Sequence, residues 1–383
     1  MITALWKMRW ASMLQLGALG LLGTFETVRM KDVGLSESQI GLILGLENGL
    51  MIFTALAWGK WADHTRRFRS GIIVGTLGLV VTLAWFAHAD DWADFVIYGI
   101  MRGLFVTSIM GLMPALALAN LDPAKPGAGF GGYRRFGSLG FLFAAAGLPL
   151  LFDQISSMAF AAMVYLPVSI WFVQRLADPA APRAGGGDEV AATSFRRVGF
   201  FLAAHFFVSM AEPGVHGFFA AYARDMGASL EWVGMLSGMT GLMALLTLSW
   251  MGRLADRIGA ARMLVIGFVA QGLRMLLTSF ISDPQWLWLP HLLHGFGWAG
   301  REVGTLLFLT AIMGQRRLGM ASSVMMSVRM AGTTAGALLM GKLAESAGYP
   351  VMFQCIAGFV LLGFLMLGVA LKRAKNAAAP SVS

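Results

Sequence analysis

Apolar residues run through this chain in long blocks broken by short polar stretches, with neither the alternation of a half-buried strand nor the broad polar face of a surface helix. Blocks near 20 residues are long enough to cross a bilayer as helices. The pattern predicts twelve spans, at about 8–28, 38–60, 70–88, 93–120, 133–152, 157–174, 198–222, 230–251, 262–282, 286–312, 319–343 and 350–371. The fold class expected is therefore an all-α polytopic membrane protein. Between the sixth and seventh spans lies the longest polar stretch, 175–197, with Pro179, Pro182 and Gly185-Gly186-Gly187. It reads as a flexible connector, so the expected domains are a six-helix bundle at 1–174, a linker at 175–197, a second bundle at 198–371 and a tail at 372–383.

Composition agrees with this picture. Of the 383 residues 57% are apolar and 13% charged, against about 25% charged in soluble domains. Glycine, at 48 residues, suits closely packed helices. Cys355 is the single cysteine, which excludes an intramolecular disulfide. The net charge of +9 comes from short basic clusters between the blocks rather than one continuous patch, so it describes topology and not nucleic-acid binding. With the N-terminus inside, 21 Lys and Arg, among them the cluster of Lys125, Arg134 and Arg135, fall on the cytoplasmic side and four on the other, which places both termini in the cytoplasm. The first block continues to Glu26 and Arg29 without a small-x-small site, so it is expected to be retained rather than cleaved.

Two of the basic clusters repeat. After the second span the chain reads GKWADHTRR, with Gly59, Asp63, Arg66 and Arg67; after the eighth it reads GRLADRIGAAR, with Gly252, Asp256, Arg257, Gly259 and Arg262. The two Asp lie 193 residues apart, near half the chain length, which signals an internal duplication. The Gly would let helices approach, the Asp could bond the N-terminus of a neighbouring helix, and the Arg would anchor at the anionic cytoplasmic surface. These segments resemble the G-x-x-x-D-R-x-G-R-R loop of the major facilitator superfamily, with His64 and Thr65-Arg66 departing from the pattern in the first copy. The resemblance covers essentially the whole chain. It implies two six-helix bundles that rock about a central site, with these loops acting as gates.

Tyr133 to Phe141 (YRRFGSLGF), Leu273-Arg274 and Leu293-His294-Gly295 are similar to the branch that holds phenylpropionate permeases, nucleoside and proton symporters and, more distantly, lactose permease. That likeness implies proton or substrate handling by Arg274 and His294. Gly297 stands where lactose permease has a carboxylate, and the nearest acid is Glu302.

Eight charges fall inside the predicted spans: Glu26, Glu47, Glu212, Glu302, Arg102, Arg274, Arg301 and Arg329. Each costs about 2.5 kcal/mol or more at a helix centre unless it meets a partner or a wet cavity. Glu302, Glu212, His294 and Arg274 are the candidates for proton coupling. Glu47, Asn48, Arg102, His216, Gln271, Arg301 and Arg329 are the candidates for lining a substrate cavity. Against these roles stand structural Glu and Arg pairing, and for His294 a hydrogen-bonded buried imidazole. Glu26 lies closer to a span end and reads as a rim or snorkelling residue. Arg301 and Glu302, adjacent and about 100° apart on a helix, require different partners.

A phosphate-cradling G-x-x-x-x-G-K-S/T and the H-E-x-x-H of a zinc enzyme are both missing from the sequence. The expected function is secondary active transport of a small polar or aromatic solute, such as a sugar, nucleoside or aromatic acid, by proton symport. Proton-coupled export is the alternative; a receptor or intramembrane enzyme ranks lower. The expected partners are the solute, protons and the lipid bilayer, with no cofactor, metal or nucleic acid. A monomer in the cell (inner) membrane is expected.

Overall fold

The structure is a computed structural model and describes residues 4–120, 126–178, 192–313 and 318–378. The proposed linker centre and the last residues of the tail lie outside them. Among the described residues all regular structure is helical. The first part contains α1 (Ala4–Asp32), α2 (Glu37–Thr65), α3 (Phe68–His88), α4 (Trp92–Ala119), α5 (Pro126–Gly147) and α6 (Ile155–Val173). The second contains α7 (Ala192–Ser209), α8 (Glu212–Val215), α9 (Gly217–Asp225), α10 (Leu230–Ser279), α11 (Trp288–His291), α12 (His294–Met313) and α13 (Leu318–Ala378).

The breaks follow from particular residues. Pro213 cannot donate a backbone hydrogen bond, and the helical path from 192 to 225 is divided there into α7, α8 and α9. Gly259 (φ 80°) turns the chain inside α10, and Gly348 (φ 82°), followed by Pro350, does so inside α13. Each long element is thus two segments joined by a glycine of positive φ. Seven described segments are long and apolar enough to cross a membrane. The number is below the twelve predicted from the sequence because α1, α5 and α12 are more polar, the α7 to α9 path is broken, and α13 counts once although it covers two predicted spans.

The sequence repeat has a backbone counterpart. Gly34 (φ 88°) and Gly227 (φ 87°) both precede a serine N-cap, Ser36 for α2 and Ser229 for α10. Both pairs are displaced by the same 193 residues as Asp63 and Asp256. The displacement also carries Gly259 onto Arg66, the one non-glycine residue with positive φ (59°) among the described residues. Arg66 adopts the left-handed turn and closes α2 through its N–H to the Ala62 carbonyl.

The halves meet along α2 with α13 and α5 with α10. Gly41 and Gly341 bring the first pair to backbone contact: a Cβ on Gly41 would lie 2.5 Å from the Ala337 carbonyl oxygen and 3.0 Å from Gly341 Cα. In a membrane, where lipid is as apolar as the side chains, such close backbone packing supplies much of the association. Near this end Lys31 Nζ reaches Glu37 Oε1 at 2.5 Å and, across the halves, Asp225 Oδ2 at 2.7 Å. Glu345 accepts hydrogen bonds from Ser36 Oγ and the Ser38 N–H. At the opposite end Asp63 and Asp256 are exposed with no partner among the described residues, and a Cβ on Gly59 or Gly252 would meet nothing within 4 Å. The close helix approach and the Asp cap expected there are not made in this state, because the halves engage at the other end.

Candidate functional site

Between the halves lies a cavity of about 460 Å³. Glu26, Glu47, Asn48, Arg102, Arg134 and Phe141 line it from the first half; Glu212, His216, His294, Trp298, Arg329 and Thr333 line it from the second.

On the first wall one guanidinium serves two carboxylates. Arg102 Nη1 donates to Glu26 Oε2 and to Glu47 Oε2, both at 2.6 Å, and Tyr98 OH donates to the same Glu26 oxygen at 2.8 Å. The Glu26 and Glu47 side chains are only 5% and 2% exposed, so neither is solvated like a surface acid. With both ionised this group carries one surplus negative charge. Glu26 is therefore not the rim residue expected from the sequence. It sits six residues inside the end of α1, about 9 Å along the helix, where Tyr98 and Arg102 of α4 reach it. Asn48 donates to the Leu44 carbonyl within its own helix at 2.7 Å.

The second wall is arranged differently. Arg301 Nη2 pairs with Glu212 Oε1 at 2.9 Å and Arg329 Nη1 with Glu302 Oε1 at 2.6 Å. Adjacent residues 301 and 302 thus take separate partners on different helices. His216 Nε2 lies 3.7 Å from Glu212 Oε2, too long for a hydrogen bond. Arg274 is fully buried, and no carboxylate among the described residues lies within ion-pair distance of it. Its Nη1 donates to His294 Nδ1 at 2.7 Å and its Nη2 to His291 Nε2 at 3.2 Å. Arginine has no acceptor, so both imidazole nitrogens must accept. His291 uses its Nδ1–H on the Leu287 carbonyl at 2.8 Å. His294 keeps its proton on Nε2.

Of the residues singled out by sequence, Glu47, Asn48, Arg102, Glu212, His216, His294 and Arg329 share the cavity lining. Arg274, Arg301, Glu302 and Gln271 stand behind or beside it; Gln271 is buried against Gly297, with its Nε2 unpaired. Arg134, counted from sequence in a cytoplasmic cluster, lines the cavity because α5 begins at Pro126, eight residues earlier. Thr240, Trp298 and Thr333 also line it. Nothing in their residue types distinguishes them from packing residues, and only the rotation of their helices places them there.

The chain is similar to known transporters along nearly its whole length. It is 24% identical to multidrug resistance protein MdtG of Enterobacter lignolyticus, over 95% of this chain and 91% of that protein. It is also 24% identical to maltose permease of Geobacillus stearothermophilus, over 91% and 89%. Among solved structures, nucleoside transporter NupG superposes with a TM-score of 0.79 at 14% identity, covering 97% of this chain and 100% of that one. Peptide transporter POT in complex with sulfate superposes at 0.81 and 13% identity, covering 97% and 95%. These structural likenesses establish the fold. The model of the MFS_1 like family matches residues 5–355, and the chain belongs to that family, a multi-pass membrane transporter and not an enzyme.

Proposed function

We propose that the protein is a proton-coupled secondary transporter that moves a small polar or aromatic solute by alternating access, with twelve spans in two six-helix bundles and both termini in the cytoplasm of a cell with this protein in its inner membrane. The observation that carries the reading is the Arg329 and Glu302 pair. Arg329 lines the cavity, and Glu302, whose side chain is 38% exposed, holds it at 2.6 Å. A proton on Glu302 removes the charge that engages Arg329 and frees the guanidinium for a solute group. Loss of that proton restores the pair and displaces the solute. Proton and solute then move together, which is symport. The Glu212 and Arg301 pair offers the same chemistry beside His216.

The duplicated loops fit a gating role in this scheme. On the proposed topology the engaged end faces outward and the loops face the cytoplasm, so Asp63 and Asp256 would take their partners when the cytoplasmic side closes. The MdtG relatives favour a second reading, proton-coupled export, in which solute and proton move in opposite directions.

In proteoliposomes or energy-depleted cells, adding a transported solute should alkalinise the external medium. Acidification would indicate exchange for protons, and solute movement without protons would reject coupling. Glu302→Gln should abolish uphill accumulation while leaving solute exchange intact, because exchange needs no net proton cycle. If accumulation survives, Glu302 is not the coupling group.

A further inference from the structure

Among the described residues, Arg274 is a fully buried charge without an ionic partner. Its Nε has no partner, and its two terminal nitrogens meet only imidazoles. A buried charge of this kind ordinarily has an ionic partner. The other acids near this corner are already engaged: Glu212 by Arg301 and Glu302 by Arg329. On the facing wall Glu26 and Glu47 are held by Arg102. Arg134 adds a further positive charge to the lining. Residue 297 on α12, which packs against Gln271, is a glycine and supplies no carboxylate.

The cavity is where a counter-charge can enter. Arg274 is separated from it by His294, a lining residue, and His216 stands beside that ring at a centroid distance of 6.1 Å. By donating to His294 Nδ1, Arg274 fixes the tautomer that carries its proton on Nε2, and that nitrogen has no protein partner among the described residues. We propose that the transported solute carries a carboxylate that binds at His294 and His216, with Arg274 acting behind them as a positioning residue and fixed positive charge. This rests on the transport reading and names the substrate class within it. It assigns Arg274 to recognition rather than to proton transfer, because a guanidinium that must donate to both imidazoles has no acceptor through which to pass a proton. With Glu26 and Glu47 both ionised, the surplus negative charge they share with Arg102 would further favour a solute with an ammonium group at its other end.

The test is thermal stability and calorimetric titration of the detergent-purified full chain with benzoate, lactate and phenylalanine, each beside its own amide, and with glucose and uridine. An amide keeps the shape and removes the negative charge. At least one acid should stabilise the protein in a concentration-dependent way and bind roughly tenfold or more tightly than its amide, the scale of one charge-assisted hydrogen bond. Tighter binding of phenylalanine than of benzoate and lactate would identify a zwitterion; the reverse would identify a simple acid. Both outcomes support the carboxylate site.

Arg274→Gln should collapse the ratio of acid to amide affinity toward one. General loosening of the fold would weaken both ligands and leave that ratio in place. If Arg274→Gln does not fold, Arg274→Lys keeps the charge without the two-imidazole fork and should reduce the ratio, and His294→Ala should remove it with Arg274 intact. Failure of every acid to bind, equal affinity for acids and amides, or an unchanged ratio in the variants would each overturn the proposal. Proton-coupled transport of glucose or uridine would overturn the carboxylate site and keep the symport reading. Acid binding with no proton movement would do the reverse.

Discussion

The end of the bundle that carries the α1 to α2 and α9 to α10 turns is tied by glycine contact, a shared lysine and hydrogen bonds to Glu345, all crossing between the halves. At the other end, Asp63 and Asp256 make no hydrogen bond or ion pair among the described residues, and Gly59 and Gly252 face open space. The difference teaches which contacts define this state. Sequence makes the loops conspicuous, because their motif is charged and repeated, but in this state the engaged end is built from quieter residues. A transporter that opens alternately to two sides needs both sets, and one structure displays the contacts of one side only.

The largest expected effect comes from Gly41. A leucine there would press on the backbone of Ala337 and Gly341, which cannot swing aside as a side chain can. Overpacking of this kind costs about 3 kcal/mol, enough to move a two-state balance by more than a hundredfold. With Cys355 replaced by Ser, spin labels at Asp32 and Ala347 should move apart in Gly41→Leu, while labels at Lys60 and Arg257 approach. Identical distance distributions in variant and parent would mean that glycine contact does not hold this end.

Lys31 gives a smaller and pH-dependent handle. Burial works against its charge, yet the hydrogen bonds and Coulombic attraction of Asp225 and Glu37 together exceed that penalty and raise its pKa above the usual lysine value of 10.5. A raised pKa means the contribution is complete below the unfolded value and fades as pH climbs through the folded one. The label pair at Asp32 and Ala347 should therefore hold its distance from neutral pH to about 10 and lengthen only above the lysine value. Lys31→Met should remove that alkaline transition and weaken the closed end by about 1 kcal/mol, the range of partly exposed ion pairs. An alkaline transition that persists in Lys31→Met would belong to another group.

Much of the fold is legible in the sequence because it rests on local rules. Blocks of apolar residues place the helices, and Gly259 belongs to a loop motif conspicuous in the sequence, whereas the turns at Gly34 and Gly227 emerge only from the backbone. The 193-residue displacement between Asp63 and Asp256 links the copies in the sequence itself. The pairing of the buried charges is not legible in the same way. Glu26 was expected at a rim, and Arg134 in a cytoplasmic cluster, since both assignments depended on span ends that shift by several residues. Which Arg meets which Glu depends further on helix rotation, and a rotation of one residue, 100°, exchanges cavity for lipid. Arg274 shows the limit well: its spacing from His291 and His294 can be read, but not the absence of an acid beside it.

The two copies of the loop also differ in cost. Arg66 holds φ 59° where its counterpart Gly259 holds φ 80°. A side chain in the left-handed region costs about 1–2 kcal/mol, partly offset because glycine loses more conformational freedom on folding, by about 0.5–1 kcal/mol. Arg66→Gly should therefore stabilise the protein by about 0.5 kcal/mol, and Gly259→Ala should destabilise it by a similar or larger amount, both read as shifts in thermal midpoint. A loss of stability in Arg66→Gly would show that the Arg66 side chain does more than endure its turn.

Asp256→Asn has the smallest expected thermal effect. The residue is exposed and has no partner among the described residues in this state, and surface changes of this kind fall within about 0.5 kcal/mol. Its effect belongs to the other state, where closure of the loop end would bring Asp256 to a neighbouring helix terminus or a basic residue. Removing its charge with little change of volume should leave solute binding intact and lower the share of the loop-closed form, seen as a longer mean distance between labels at Lys60 and Arg257 when solute is present. Distance distributions that match the parent, with and without solute, would remove Asp256 from gating and leave the engaged end as the sole determinant of the balance.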